Sequence, residues 1–163
     1  MAVLPVRHHP DRVLRRKARR VTIVDDSIRK LAANMLETME AVKGVGLAAP
    51  QVGVSLRVIV LGLPGEAPQV IINPEIVKRS GVRQIGEACL SIPGYAGEVE
   101  RSVSVVVKGL DREGKKLRVR ASELLAQALE HEIDHLNGIL YVDRVGGEDK
   151  LVKVEPASEE QAG

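Results

Sequence analysis

The stretch of this sequence richest in chemistry is His131-Glu132-Ile133-Asp134-His135, two histidines four positions apart with an acid directly after the first. On an α-helix each residue advances about 100°, so the two imidazoles lie only about 40° apart and can reach one ion, while Glu132 sits beside that ion as a candidate general base. Leu124, Ala128, His131 and His135 follow the helical spacing i, i+4, i+7 and i+11, so the histidines continue an apolar face and should point inward. The plainer reading is two histidines satisfied in a core. Burying two imidazoles and a carboxylate without an ion carries a large desolvation cost, which weighs against it.

A catalytic metal commonly takes three protein ligands and keeps one position open. The extended pattern H-E-x-x-H-x-x-G-x-x-H fails here, because Gly138 fits but the last position is Tyr141. A glutamate from a following helix is a weak alternative, since Glu148, Glu155, Glu159 and Glu160 all lie in a polar tail. Cys89 remains, in Glu87-Ala88-Cys89-Leu90-Ser91 just before a proline-containing turn. As the single cysteine it cannot form an internal disulfide, and by type it is either a small buried apolar residue or a reactive or metal-binding one. Gln51 ends the glycine-rich stretch 44–53, where its amide suits donation to a developing oxyanion; a surface-turn glutamine is the bland alternative. Gly44-Val45-Gly46-Leu47-Ala48-Ala49 matches G-x-G-x-x-A, yet a helical pattern precedes it and no Lys-Ser/Thr follows, which argues against a phosphate cradle and for a loop that approaches a ligand closely.

The elements that must position these residues are partly legible. From Asp26, a plausible N-cap, Ile28, Leu31, Met35, Leu36, Met39 and Val42 recur at helical spacing until Lys43-Gly44 stops the pattern. Residues 56–63 and 70–72 read as buried strands, and 97–110 with 115–120 as an antiparallel hairpin turned at Asp111-Arg112-Glu113-Gly114. Ser122 can cap a second helix that carries the histidines to Asn137, with Gly138 at its C-terminal stop. From about Gly146 the chain is polar, acidic and expected to be weakly ordered, which leaves one catalytic domain over 1–145 and a tail over 146–163.

Composition narrows the function classes. The 163 residues are 44% hydrophobic and 28% charged, a globular balance of single-domain size. Phe and Trp are absent and Tyr95 and Tyr141 are the only aromatics, so stacking on single-stranded bases is largely excluded, and a net charge of +2 argues for no nucleic-acid footprint. The basic run from Arg12 to Arg20 reads as a solvated face rather than a phosphate patch, and His8 and His9 as a surface turn rather than ligands. No stretch suits a membrane span or signal peptide, so a cytoplasmic location is expected.

The segments G-V-G-L-A-A-P-Q, E-A-C-L-S and H-E-I-D-H-L-N-G, in that order, closely resemble the three motifs of peptide deformylase, with further likeness in the flanks over roughly the first 145 residues. The resemblance implies that Cys89, His131 and His135 bind one metal ion and that Glu132 is the general base. It further implies that Gln51 and the backbone N–H of Leu90 hold the oxyanion while formate is removed from N-formylmethionine of newly synthesised polypeptides. Iron(II) is the implied metal, with Zn2+, Ni2+ or Co2+ possible; a Cys-His-His site favours zinc by intrinsic preference. Two positions depart from the family: Ala88 stands where glycine is usual and Ala96 where many members have arginine. The acidic tail gives no support for ribosome docking.

The expected architecture is α+β, a mixed or antiparallel sheet packed around a central metal-binding helix with an N-terminal helix on another face. The groove should lie between residues 46–51, residues 89–91 and the motif helix, with Gly44, Val45, Gly46 and Glu87 as substrate contacts. Competing readings are a metallopeptidase or amidase acting on another acyl group, and a non-catalytic metal- or nucleic-acid-binding module.

Overall fold

Asp25, one position before the expected Asp26, caps the first helix: its carboxylate accepts the Ile28 N–H at 3.2 Å, and α1 runs Asp26–Ala41. The structure, a computed structural model, describes residues 2–145 and 150–154. Ile28, Ala32, Met35 and Met39 form the buried face of α1, and the helix ends not on glycine but on Lys43 at φ 56°.

Five strands follow in spatial as well as sequence order, each antiparallel to the next: β1 (Gly46–Ala48), β2 (Val58–Leu61), β3 (Gln69–Cys89), β4 (Ile92–Leu110) and β5 (Lys116–Ser122). A short β6 (Val152–Lys153) pairs with β4 at Tyr95 and Ala96. Among the described residues the only parallel contact is an isolated bridge between Arg19 and Leu56, so the antiparallel alternative of the expected sheet is the one formed. β2 is apolar throughout because both its faces are covered: Val58 and Val60 pack with α1, Ile59 and Leu61 with the motif helix α2 (Glu123–Leu136).

β3 is far longer than the expected strand at 70–72. Its regularity breaks between Ile72 and Glu75, where Asn73 takes φ 52° and its side chain bonds both the N–H and the carbonyl of Val21, at 2.8 and 2.9 Å. Past that point it pairs along nearly the whole of β4, which itself starts at Ile92 rather than 97.

Ser122 occupies the N-cap position of α2 but makes no side-chain capping bond. The helix is buried continuously from Ala126 to Leu136, whereas Leu124, read as part of the same inward stripe, is 44% exposed. Gly138 does end the turn, at φ 74°, and a Cβ there would also come within 2.5 Å of the Arg15 carbonyl oxygen. A short α3 (Tyr141–Val145) then packs Tyr141 with Val13, Leu14, Cys89, Ile92 and Val99. In the basic run Val13, Leu14, Ala18 and Val21 are buried and the cations between them exposed, as a solvated face requires. The tail expected from about residue 146 lies mostly outside the described residues; within 150–154 the chain forms β6. Among the described residues no helix is long and apolar enough to cross a membrane.

Candidate functional site

α2 brings His131 and His135 together on one face, their Nε2 atoms 3.2 Å apart. The end of β3 delivers Cys89 to the same point, Sγ lying 3.3 Å from His135 Nε2, and the three candidate ligand atoms all fall within 4.8 Å of one another. All three residues are at least 95% buried. A sulfur and two imidazole nitrogens form the donor set of a transition-metal or zinc site, and three such atoms converging out of water fit one ion. Burial opposes charge on His131, but the facing Glu87 carboxylate and the Cys89 sulfur raise its pKa well above the ordinary value. Burial and the nearby charge of His131 hold His135 well below it.

Glu132 is fully buried and neither of its carboxylate oxygens has a hydrogen-bond partner among the described residues. Burial pushes its pKa up to about 7, where a carboxyl can both take and return a proton. The room for it comes from Gly46, where a Cβ would lie 2.6 Å from Glu132 Oε2. Thus the close approach that the glycine loop permits includes one to the candidate base.

Gln51 is buried, not a surface-turn residue. It lies in a 3-10 turn, Ala49–Val52, its Oε1 accepting the Ala48 N–H at 2.9 Å and its Nε2 aimed at Ser91 Oγ (3.2 Å) and Cys89 Sγ (3.7 Å). Leu90 begins the turn after Cys89, its Cδ1 3.3 Å from where a Cβ on Gly44 would stand. The N-terminal segment laces these pieces together: the Arg7 N–H donates to the Gln51 carbonyl at 2.6 Å and the His9 N–H to that of Ser91 at 2.8 Å.

A family model described as Polypeptide deformylase matches residues 3–151. The chain belongs to this family. A peptide deformylase of Dehalococcoides mccartyi strain CBDB1 is 51% identical over 160 residues, covering 98% of this chain and 96% of its own length. A deformylase of Thermomicrobium roseum is 47% identical, covering 99% and 97% respectively. The crystal structure of a Synechococcus elongatus deformylase in complex with actinonin superposes with a TM-score of 0.86 at 45% identity, over 90% of this chain and 81% of that one. Such likeness shows the α+β deformylase fold, and the family is one of enzymes.

Within this deformylase frame Glu87 does not sit in an open groove. It is 7% exposed, with Oε2 2.8 Å from His131 Nδ1 and both oxygens accepting from Arg101 at 3.0 and 2.6 Å, so its side chain is taken up by the histidine and the arginine. Burial raises its pKa, but the charge of His131 and the bonds from His131 and Arg101 outweigh that and hold it down at about 2. Arg101 and Asp134, joined at 2.9 Å, were not singled out as site residues by sequence reasoning. Arg101 carries a signal only in retrospect, as a cation alternating with valines on a strand whose neighbours Val99 and Val105 are core. Ala88 departs from the deformylase glycine without strain: among the described residues the non-glycine positions with positive φ are Lys43, Asn73 and Glu123. Ala96 pairs with Val152 of β6.

Proposed function

We propose that this chain removes the N-terminal formyl group, as formate, from N-formylmethionine of newly synthesised polypeptides in the cytoplasm. The observation that carries the reading is the convergence of Cys89, His131 and His135 beside a buried, unpartnered Glu132. Those three residues would hold one divalent ion, Fe2+ in this reading with Zn2+, Ni2+ or Co2+ as substitutes, and a bound ion supplies Lewis-acid polarisation and acidifies water. Glu132 takes the proton of the attacking water and passes it to the departing amine. Gln51 Nε2 and the Leu90 N–H stabilise the negative charge that develops on the formyl oxygen. Gly44, Val45 and Gly46 contact the substrate, Gly46 also making room for Glu132, while Glu87 acts behind His131 by fixing its ring and tautomer.

The test is formate release from formyl-Met-Ala-Ser by the metal-loaded protein, with Glu132→Gln as its partner. The amide side chain cannot move the proton, so kcat should fall at least about 100-fold with KM changed much less and the ion retained. A fully loaded Glu132→Gln enzyme with near wild-type kcat would make Glu132 structural. Absence of formate release from the loaded wild type, with cleavage of another acyl or peptidyl amide, would favour the amidase reading instead.

A further inference from the structure

Behind His131 the charges alternate through four more residues to the protein surface. Glu87 bonds His131 and is gripped by both prongs of Arg101; Arg101 Nη1 donates to Asp134 Oδ2; and Asp134 is gripped in turn by Arg144 of α3, whose Nε and Nη2 donate to Oδ2 and Oδ1 at 2.6 and 2.8 Å. Side chains at the inner end of the row are buried, 5% exposed at Glu87 and 2% at Arg101, and exposure rises outward to 11% at Asp134 and 40% at Arg144. Every link between acid and arginine except the middle one is two-pronged, which fixes planes as well as distances.

We propose that Arg144 is a positioning residue for His131, acting through Asp134, Arg101 and Glu87, so that retention of a divalent ion depends on the Arg144–Asp134 fork rather than on the other tie of α3. This rests on the metal-site reading above. Asp134 Oδ2 is shared by the two arginines, and Arg144 supplies the bond to Oδ1. Loss of that fork frees the carboxylate to turn, Arg101 then loses a fixed partner on the side away from Glu87, and the Glu87–His131 bond is no longer held in one plane. A bystander ion pair would transmit none of this.

Charge and geometry make opposite demands, which allows a clean experiment. Removing a cation near the site raises its attraction for a metal ion, whereas releasing the fork lowers it. Full-length nickel-loaded protein is mixed with excess chelating dye and the release rate is read for wild type, Arg144→Gln, Arg144→Lys and Arg15→Gln. The last breaks the Arg15–Asp143 pair, which also ties α3 down and is similarly exposed at 41% and 40%. Lysine keeps the charge but cannot form the fork. Arg144→Lys should release nickel about 10-fold faster, Arg144→Gln faster than wild type but by less than Arg144→Lys, and Arg15→Gln less than twofold faster. Added to Glu87→Gln, Arg144→Lys should accelerate release by less than a further twofold, because the row is already cut. Wild-type rates in Arg144→Lys, or an equal acceleration in Arg15→Gln, overturn the proposal. If Arg144→Gln does not fold, Arg144→Lys and the double variant decide it. Failure of the wild type itself to hold nickel stoichiometrically removes the metal-site reading, and the relay with it.

Discussion

Sulfur is what no isosteric neighbour of Cys89 can supply. A serine there keeps the size and the buried position, 4% exposed, but replaces a soft, ionisable ligand by a neutral hydroxyl. Cys89→Ser should therefore lose metal severely, by at least about 10-fold in affinity on the scale of ligand-sphere changes. Metal analysis after dialysis checks this, and stoichiometric metal of unchanged affinity would take Cys89 out of the site. Cys89, His131, His135 and Glu132 were legible in the sequence because spacing or rarity marks them. Gln51 was legible only as an alternative, since nothing local distinguishes a buried amide from a turn. The Glu87–Arg101 pairing was not legible, because the two residues lie fourteen positions apart along the chain. The hairpin register that sets Glu87 against Gly97 and Arg83 against Arg101 brings them together, and register is a property of two strands.

At the scale of elements, the glycine loop and α2 are one fitted pair. Gly46→Ala inserts a methyl group 2.6 Å from Glu132 Oε2 and 3.0 Å from its Cγ, so the carboxylate must turn away or β1 must shift. We expect a stability loss of about 1–3 kcal/mol and a fall in kcat of more than about tenfold with metal content intact. Normal kcat in this variant would mean that the loop yields easily and does not fix the base. A glycine substitution can also help. Ala88 offers nothing, since its φ is not positive, but Lys43 at φ 56° sits where helices favour glycine. Lys43→Gly should raise stability by about 0.5–1 kcal/mol, seen as a melting point roughly 1–4 °C higher; an unchanged or lower value would show that contacts of the lysine outweigh the strain. The two helices and the 97–110 strand were readable from periodicity. The rest of β3 was not, because Pro74, Lys78, Arg79 and the exposed Glu75, Ser80, Gly81, Gln84 and Gly86 erase alternation on a strand that is exposed over much of its middle. It exists because β4 pairs with it, which no local pattern encodes.

For the whole molecule, the candidate site joins parts that are otherwise separate in sequence: the hairpin end at Cys89 and the helix from the far side of β4 and β5. An ion held by both stabilises only the folded arrangement, so stripping it with a chelator should lower the melting temperature, by about 5–10 °C if the ion is present at about a hundred times its dissociation constant. Calorimetry on loaded and stripped protein measures this, and coincident transitions would show that the site adds nothing to the fold. Single-domain size and aliphatic character were plain from composition; the return of 150–154 to pair with β4 was not, since residues 146–149 read simply as polar chain. That aliphatic character has an optical consequence. With no tryptophan, ultraviolet emission comes from two phenol rings alone, Tyr95 at 38% exposed and Tyr141 at 1%, the latter stacked 6.4 Å from the ring of His131. The protein thus carries one fluorophore facing solvent and one against its candidate metal site. A coloured ion held by His131 would drain light from the second while leaving the first as a constant background, so occupancy of the site can be read from the unlabelled chain.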